Sequence, residues 1–171
     1  MLRQLGAETR EVRRPVDLEG LDGLVIPGGE STTISKGIAA AGLEPAIRAH
    51  HAAGRPVFGT CAGMIVCDTE HLGLIDASAE RNAFGRQLQS FEAELEVEGI
   101  GDEPLRAVFI RAPWIEEVGP DVEVLAEWEG HPVLVRQGRV LLAAFHPELT
   151  EDTRVHALFL QAVREESSVR A

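Results

Sequence analysis

Three short, almost unbroken apolar runs constrain this chain more than any other feature: "LDGLVIPGG" (21–29), "RPVFGT" (55–60) and "RVLLAAF" (139–145). A strand that is apolar on both faces must be covered on both, which is the setting of a parallel sheet inside an α/β protein. Between the first two runs lies "STTISKGIAAAGLEPAIRAHHAAG" (31–54), with a Ser/Thr cap candidate, apolar residues at helical spacing, a break near Gly42 to Pro45 and Gly54 as a stop. Strand, crossover helix and strand in this order predict a parallel pair. A further helix is predicted over "CAGMIVCDTEHLG" (61–73), beginning at the cysteine itself.

The flanking segments read differently. "AETREVRR" (7–14) is predicted as a short edge-like strand, and the second half turns to alternating patterns in "SFEAELEVEG" (90–99), "LRAVFI" (105–110), "VEVLAEWEG" (122–130) and "HPVLVRQG" (131–138). That half is expected to be mostly antiparallel. "EDTRVHALFLQAVREE" (151–166) is predicted as an amphipathic helix with acidic residues in its first turn, and residues 165–171 as a fraying tail. With 171 residues and 44% hydrophobic content, the chain suits one core and hence a single domain over 1–171.

Charge narrows the function. There are 28 acidic against 16 basic side chains, a formal charge of −12, and no Lys/Arg stripe to neutralise phosphates, so nucleic acid and anionic membranes are poor partners. The longest apolar run, "VLLAAF", is far short of the roughly 20 residues that span a bilayer, and the opening "MLRQLGAETR" has no signal-peptide segment. Two cysteines make no disulfide framework, so reduced thiols in a cytoplasmic setting are expected.

The candidate chemistry begins at Gly59-Thr60-Cys61-Ala62-Gly63. Small residues two positions either side of a nucleophile type are the pattern of a strand-to-helix elbow, whose sharp turn has no room for larger neighbours. A cysteine there would feel the positive end of the helix, which favours thiolate, and the Ala62 amide could donate to an oxyanion. A small buried hydrophobe is the alternative reading of Cys61, and the turn alone does not choose. Cys67 reads as core. Cys67 and His71 stand four apart on the predicted helix, but two ligands make no metal site, and no metal is expected.

A cysteine nucleophile needs a base. Of six histidines, His50, His51, His71, His131 and His156 read as packing or solvated groups, whereas His146 follows "RVLLAAF" at the end of a predicted central strand, where α/β sheets gather functional loops. Glu148 stands two residues on, on the same side of an extended chain, with Pro147 restricting the backbone between them. A carboxylate there would hold the imidazole tautomer and stabilise imidazolium, completing a Cys-His-Glu triad.

With these residues in view, the sequence resembles the triad glutaminases of the class I glutamine amidotransferase superfamily, and among them the glutaminase subunits of pyridoxal 5'-phosphate synthases. The matching segments are "PGGESTT" (27–33), "FGTCAGMI" (58–65), "ERNAFGRQ" (80–87), "SFEAEL" (90–95), "FIRAPWI" (109–115) and "FHPELTED" (145–152). The resemblance implies a three-layer, flavodoxin-like α/β fold with a mixed, mainly parallel central sheet and an antiparallel extension. It implies Cys61 as nucleophile, His146 and Glu148 as its triad partners, Ala62 and Gly29 at the oxyanion hole, and Gly29, Glu30, Ser31, Arg81, Ile110 and Arg111 around glutamine. Arg81 and Arg111 suit an α-carboxylate, and Glu30 or the Ile110 carbonyl an α-ammonium.

The same resemblance implies hydrolysis of L-glutamine to L-glutamate and ammonia, with no cofactor on this chain and with ammonia passed to a barrel-shaped, multimeric synthase partner. The family opens with an apolar strand and an "LQG" loop, so "MLRQLGAE" (1–8) falls inside what would be the first helix. The segment joining "GMIVCDTE" to "HLGLI" is also shorter than usual, in what would be a surface connection.

Overall fold

The three apolar runs form neighbouring parallel strands in a computed structural model that describes residues 1–81, 83 and 90–170. Numbered in chain order, they are β1 (Leu24–Ile26), β2 (Val57–Thr60) and β9 (Val140–Ala143). Leu24 pairs with Val57, and Thr60 with Ala143. All four residues of β2 and all four of β9 are buried, as near-continuous apolar strands require. The five-stranded sheet runs β1-β2-β9-β8-β7, with β8 (His131–Gln137) and β7 (Glu123–Trp128) added antiparallel. The sheet is therefore mixed, with two parallel and two antiparallel pairings.

Two further antiparallel pairs flank it. One joins β4 (Ser90–Leu95) to β5 (Leu105–Ile110), in register from Ser90 with Ile110 to Leu95 with Leu105. The other joins β3 (Ala77–Glu80) to β6 (Trp114–Val118), two strands the alternation pattern had not singled out. Of the "ERNAFGRQ" motif, Asn82 and residues 84–87 lie outside the described residues, as does Ala171.

The predicted crossover is found as α1 (Ser31–Ala40) and α2 (Glu44–Ala52), broken at 41–43. The cap of α1 is the Glu30 side chain rather than a Ser or Thr hydroxyl. The helix after the cysteine is far shorter than predicted: α3 covers Ala62–Cys67 and stops at Asp68, whose backbone is extended. The buried Asp68 carboxylate ends it by accepting hydrogen bonds from the Glu70 and His71 amides, offering the chain a turn in place of another helical turn. His71 Nδ1 meets the same carboxylate at 2.7 Å, so Cys67 and His71 share no helical face. Among the described residues no group of three or more His, Cys, Asp or Glu is placed to hold a metal ion.

Both ends of the chain depart from expectation. "AETREVRR" forms no strand: its charged side chains are exposed and the amides of Arg13 and Arg14 donate to the Asp17 carboxylate instead of to a ladder, and "MLRQLGAE" is a turn rather than a helix. The last helix, α4 (Arg154–Arg170), begins after the acidic residues predicted for its first turn, with Asp152 accepting from the Arg154 amide, and it continues through the expected fray. Its apolar face seals the sheet: Phe159 stacks on Phe58 of β2 at 5.6 Å, and Phe159 and Val163 close over Gly23. Among the described residues no helix is long and apolar enough to cross a membrane.

Candidate active site

The ends of β1, β2 and β9 converge because the strands are parallel and in register, so three chain segments leave the sheet side by side. Cys61 extends the β2 ladder by one residue, its amide donating to the Ala143 carbonyl at 2.8 Å, and then turns sharply. Its φ of 49° and ψ of −110° lie where a non-glycine residue is strained. Close packing holds it there. A Cβ on Gly63 would overlap the Ile26 carbonyl, and one on Gly59 would come within 2.7 Å of the Gly63 carbonyl oxygen. The small residues either side of Cys61 are thus required by sterics, as the sequence pattern predicted.

His146 follows β9 and is held by an amide hydrogen bond to the Val108 carbonyl of β5 at 2.8 Å. Its Nδ1 meets Glu148 Oε1 at 2.8 Å, in the short 3-10 turn Pro147–Leu149. Hydrogen bonding to Cys61 first, and to Glu148 second, raises the His146 pKa to about 10 against the opposing effect of burial. Burial pushes Glu148 upward, but the His146 hydrogen bond and neighbouring positive charge prevail and leave it below its usual value. Cys61 itself is buried, and its Sγ lies 3.9 Å from the Ile110 carbonyl.

The loop after β1 forms the opposite wall. Gly28 sits against the imidazole, where a Cβ would approach His146 Cε1 to 2.6 Å and Cys61 Cβ to 3.3 Å. Gly29 has φ 144°, a conformation that side chains rarely adopt. Ala62 opens α3, so its N–H belongs to the group that a helix leaves without an intrahelical acceptor. Ile110 ends β5 beside Cys61, and Arg111 follows at φ 44°, exposed to solvent.

Glu30 and Arg81 are brought directly together. Arg81 Nη2 donates to Glu30 Oε1 at 3.0 Å, and Nη1 to Thr32 Oγ1 at 3.2 Å. Glu30 also accepts from the amides of Thr32 and Thr33 and from the Thr33 hydroxyl. The Thr32 amide first, and then the Thr33 hydroxyl and amide, lower its pKa to about 2. Ser31 is buried as the first residue of α1.

Three parts of this arrangement were missed in the sequence: the seat that Gly28 makes for the imidazole, the roles of Thr32 and Thr33, and the Asp68 turn. "ESTT" carried the signal for the second, but Glu lies outside the usual N-cap set and the cap was sought at Ser or Thr. A groove of about 650 Å³ lined by His51, Arg55 and Arg139 lies at the other end of the sheet, before β2 and β9 begin, and contains none of these groups.

Comparison with known proteins agrees with the geometry. A profile of the SNO glutamine amidotransferase family matches residues 1–165. A protein of Mycolicibacterium vanbaalenii named pyridoxal 5'-phosphate synthase subunit PdxT is 54% identical over 174 residues, covering 95% of this chain and 89% of its own. A protein of the same name from Streptomyces avermitilis is 55% identical over 167 residues, covering 92% and 83%. A crystal structure described as a glutamine amidotransferase superposes with TM-score 0.89 at 49% identity, covering 95% of this chain and 89% of its own. The structure of PurLQS from Thermotoga maritima shares the fold more distantly, at TM-score 0.63 and 17% identity over 84% of this chain and 80% of its own. The chain belongs to the SNO glutamine amidotransferase family.

Proposed function

We propose that this chain hydrolyses L-glutamine to L-glutamate and ammonia as the glutaminase subunit of a pyridoxal 5'-phosphate synthase. The observation that carries the reading is the grouping of Cys61, His146 and Glu148 at the end of the parallel strands, with the cysteine on a strained elbow and the imidazole held by Glu148 at 2.8 Å. The description of the matching family supports glutamine as substrate, and the names of relatives half identical to the chain support a synthase partner.

In this mechanism the Cys61 sulfur attacks the side-chain amide carbon of glutamine, and the carbonyl electron pair moves onto oxygen. Amides of Ala62 and Gly29 receive that oxyanion, which is worth most where water is excluded. His146 gives its proton to the departing nitrogen, so ammonia leaves and a glutamyl thioester remains. The neutral imidazole then takes a proton from water as the water oxygen attacks the thioester, and glutamate and thiolate separate. Glu148 holds the ring and offsets its charge in both steps. Arg81, Arg111, Ser31 and the Glu30 segment surround the amino-acid end of the substrate, with the Ile110 carbonyl as an acceptor for its ammonium. Ammonia passes to a barrel-shaped, multimeric synthase partner.

The test is glutamate release from glutamine by the chain mixed with its synthase partner, against the chain alone and against Cys61→Ala in the mixture. Release that needs both the partner and Cys61 supports the proposal. No release from a complex that forms, or release that survives Cys61→Ala, refutes it.

A further inference from the structure

Glu30 and Arg81 were both expected to touch glutamine, one at the ammonium and one at the carboxylate, and the structure separates their roles. An ionised carboxylate has about four lone-pair sites. Here Oε1 accepts from the Thr32 amide at 3.0 Å and from Arg81 Nη2 at 3.0 Å, while Oε2 accepts from the Thr33 amide and the Thr33 hydroxyl, both at 2.8 Å. The acceptor capacity of Glu30 is used up within the protein, leaving none for a substrate ammonium.

Arg81 is in the opposite condition. Of the five N–H groups of a guanidinium, two are committed among the described residues, one to Glu30 and one to Thr32. Three N–H groups, on Nε, Nη1 and Nη2, have no acceptor among the described residues, and a guanidinium offers such donors to a carboxylate. Glu30 is two residues beyond Gly28, where a Cβ would meet both His146 and Cys61, so the backbone that carries the clamp begins within about 7 Å of Gly28. In the glutaminase reading, the guanidinium is then the group offered to the amino-acid end of a glutamine whose side-chain amide lies at Cys61.

We infer that Glu30 is a positioning residue for substrate specificity: its carboxylate, locked on the start of α1, holds the Arg81 guanidinium in place to receive the α-carboxylate of glutamine and makes no contact with the α-ammonium. An isolated exposed ion pair would fix little, because two long side chains lose entropy in meeting. This one gains its fixity from Thr32 and Thr33, which hold the acceptor before the arginine arrives. The inference rests on the glutaminase reading above and deepens it.

The test uses the assembled complex with Glu30→Gln, Arg81→Ala and the double variant. Glu30→Gln is expected to raise KM for glutamine about tenfold with kcat within about twofold, and to add less than about twofold in KM once Arg81 is alanine. Independent tenfold effects that multiply in the double variant overturn the inference. Two substrate fragments, assayed as competitive inhibitors, tell which end of glutamine is affected. Glu30→Gln should weaken glutaramate, which keeps the carboxylate and lacks the ammonium, and leave γ-aminobutyramide, which keeps only the ammonium, within about twofold. Loss confined to γ-aminobutyramide, equal loss of both, or loss of neither overturns it. Thermal melting of each variant separates loss of the α1 cap, which lowers melting temperature, from the change in KM. Failure of wild-type complex to release glutamate would instead strike the glutaminase reading itself.

Discussion

Substituting Gly28 by alanine tests the site through one methyl group. The backbone at Gly28 is not in the left-handed region, so alanine meets no torsional penalty and the whole effect comes from the space the Cβ enters. That Cβ would stand 2.6 Å from His146 Cε1, where ordinary contact begins near 3.4 Å. The imidazole must therefore retreat by about 0.8 Å, and it cannot tilt freely because Nδ1 is held by Glu148 at 2.8 Å and the backbone amide by Val108. A displacement on the order of 1 Å in a catalytic group costs about 100-fold. That corresponds to about 2.7 kcal/mol of transition-state stabilisation. Crowding a packed site adds a stability loss of about 1–3 kcal/mol. Glutamate release by the complex and thermal unfolding of the chain measure the two separately. Gly37→Ala is the control, since nothing lies within 4 Å of a Cβ in that exposed interior position of α1, and it should raise stability by about 0.5–1 kcal/mol with turnover intact. Gly28→Ala with near-wild-type kcat/KM in a folded chain would show that the imidazole is not seated where the mechanism needs it.

The remaining predictions concern the triad and its surroundings. Cys61→Ala should abolish glutamate release while the circular dichroism spectrum and complex formation stay unchanged, because the alanine keeps the Cβ and relinquishes only the sulfur. Glu148→Gln should lower kcat/KM by about 10³-fold, and since Glu148 raises the His146 pKa it should move the alkaline limb of the pH profile downward from about pH 10. His156 is buried with Nδ1 lacking a hydrogen-bond partner among the described residues, and burial lowers its pKa from 6.5, outweighing the opposing pull of Glu148. Below 6.5 the unfolded chain then binds the proton that the folded chain refuses, so stability falls as pH drops. Urea unfolding from neutral pH to about pH 5 should show a shallower decline in His156→Leu than in wild type.

Much of the fold and of the site was legible in the chain because it depends on short-range pattern. Continuous apolar runs force a strand to be covered on both faces, and that requirement picked out β1, β2 and β9 together with the crossover between β1 and β2. The elbow was legible for the same kind of reason: only glycine fits where the Gly59 and Gly63 backbones meet each other and Ile26. Glu148 was found from His146 because a separation of two residues is a local distance, although the segment is a 3-10 turn and not the extended chain expected. Where local pattern competed with a distant partner, the reading failed. The Asp68 carboxylate stopped α3 although the residues after it suited a helix, and "AETREVRR" alternated like a strand with no ladder to join.

What tertiary structure alone decided is which groups are already satisfied. The sequence determined that a thiol, an imidazole and a carboxylate would share a strand-end site, since each is tied to a strand by a few bonds of chain. It could not determine that Gly28 presses on the imidazole across the gap between two strand ends, or that Glu30 and Arg81, 51 residues apart, answer one another. Those relations depend on distances of a few tenths of an ångström between segments that only the packed sheet brings together, and hydrogen-bond capacity is consumed at that scale.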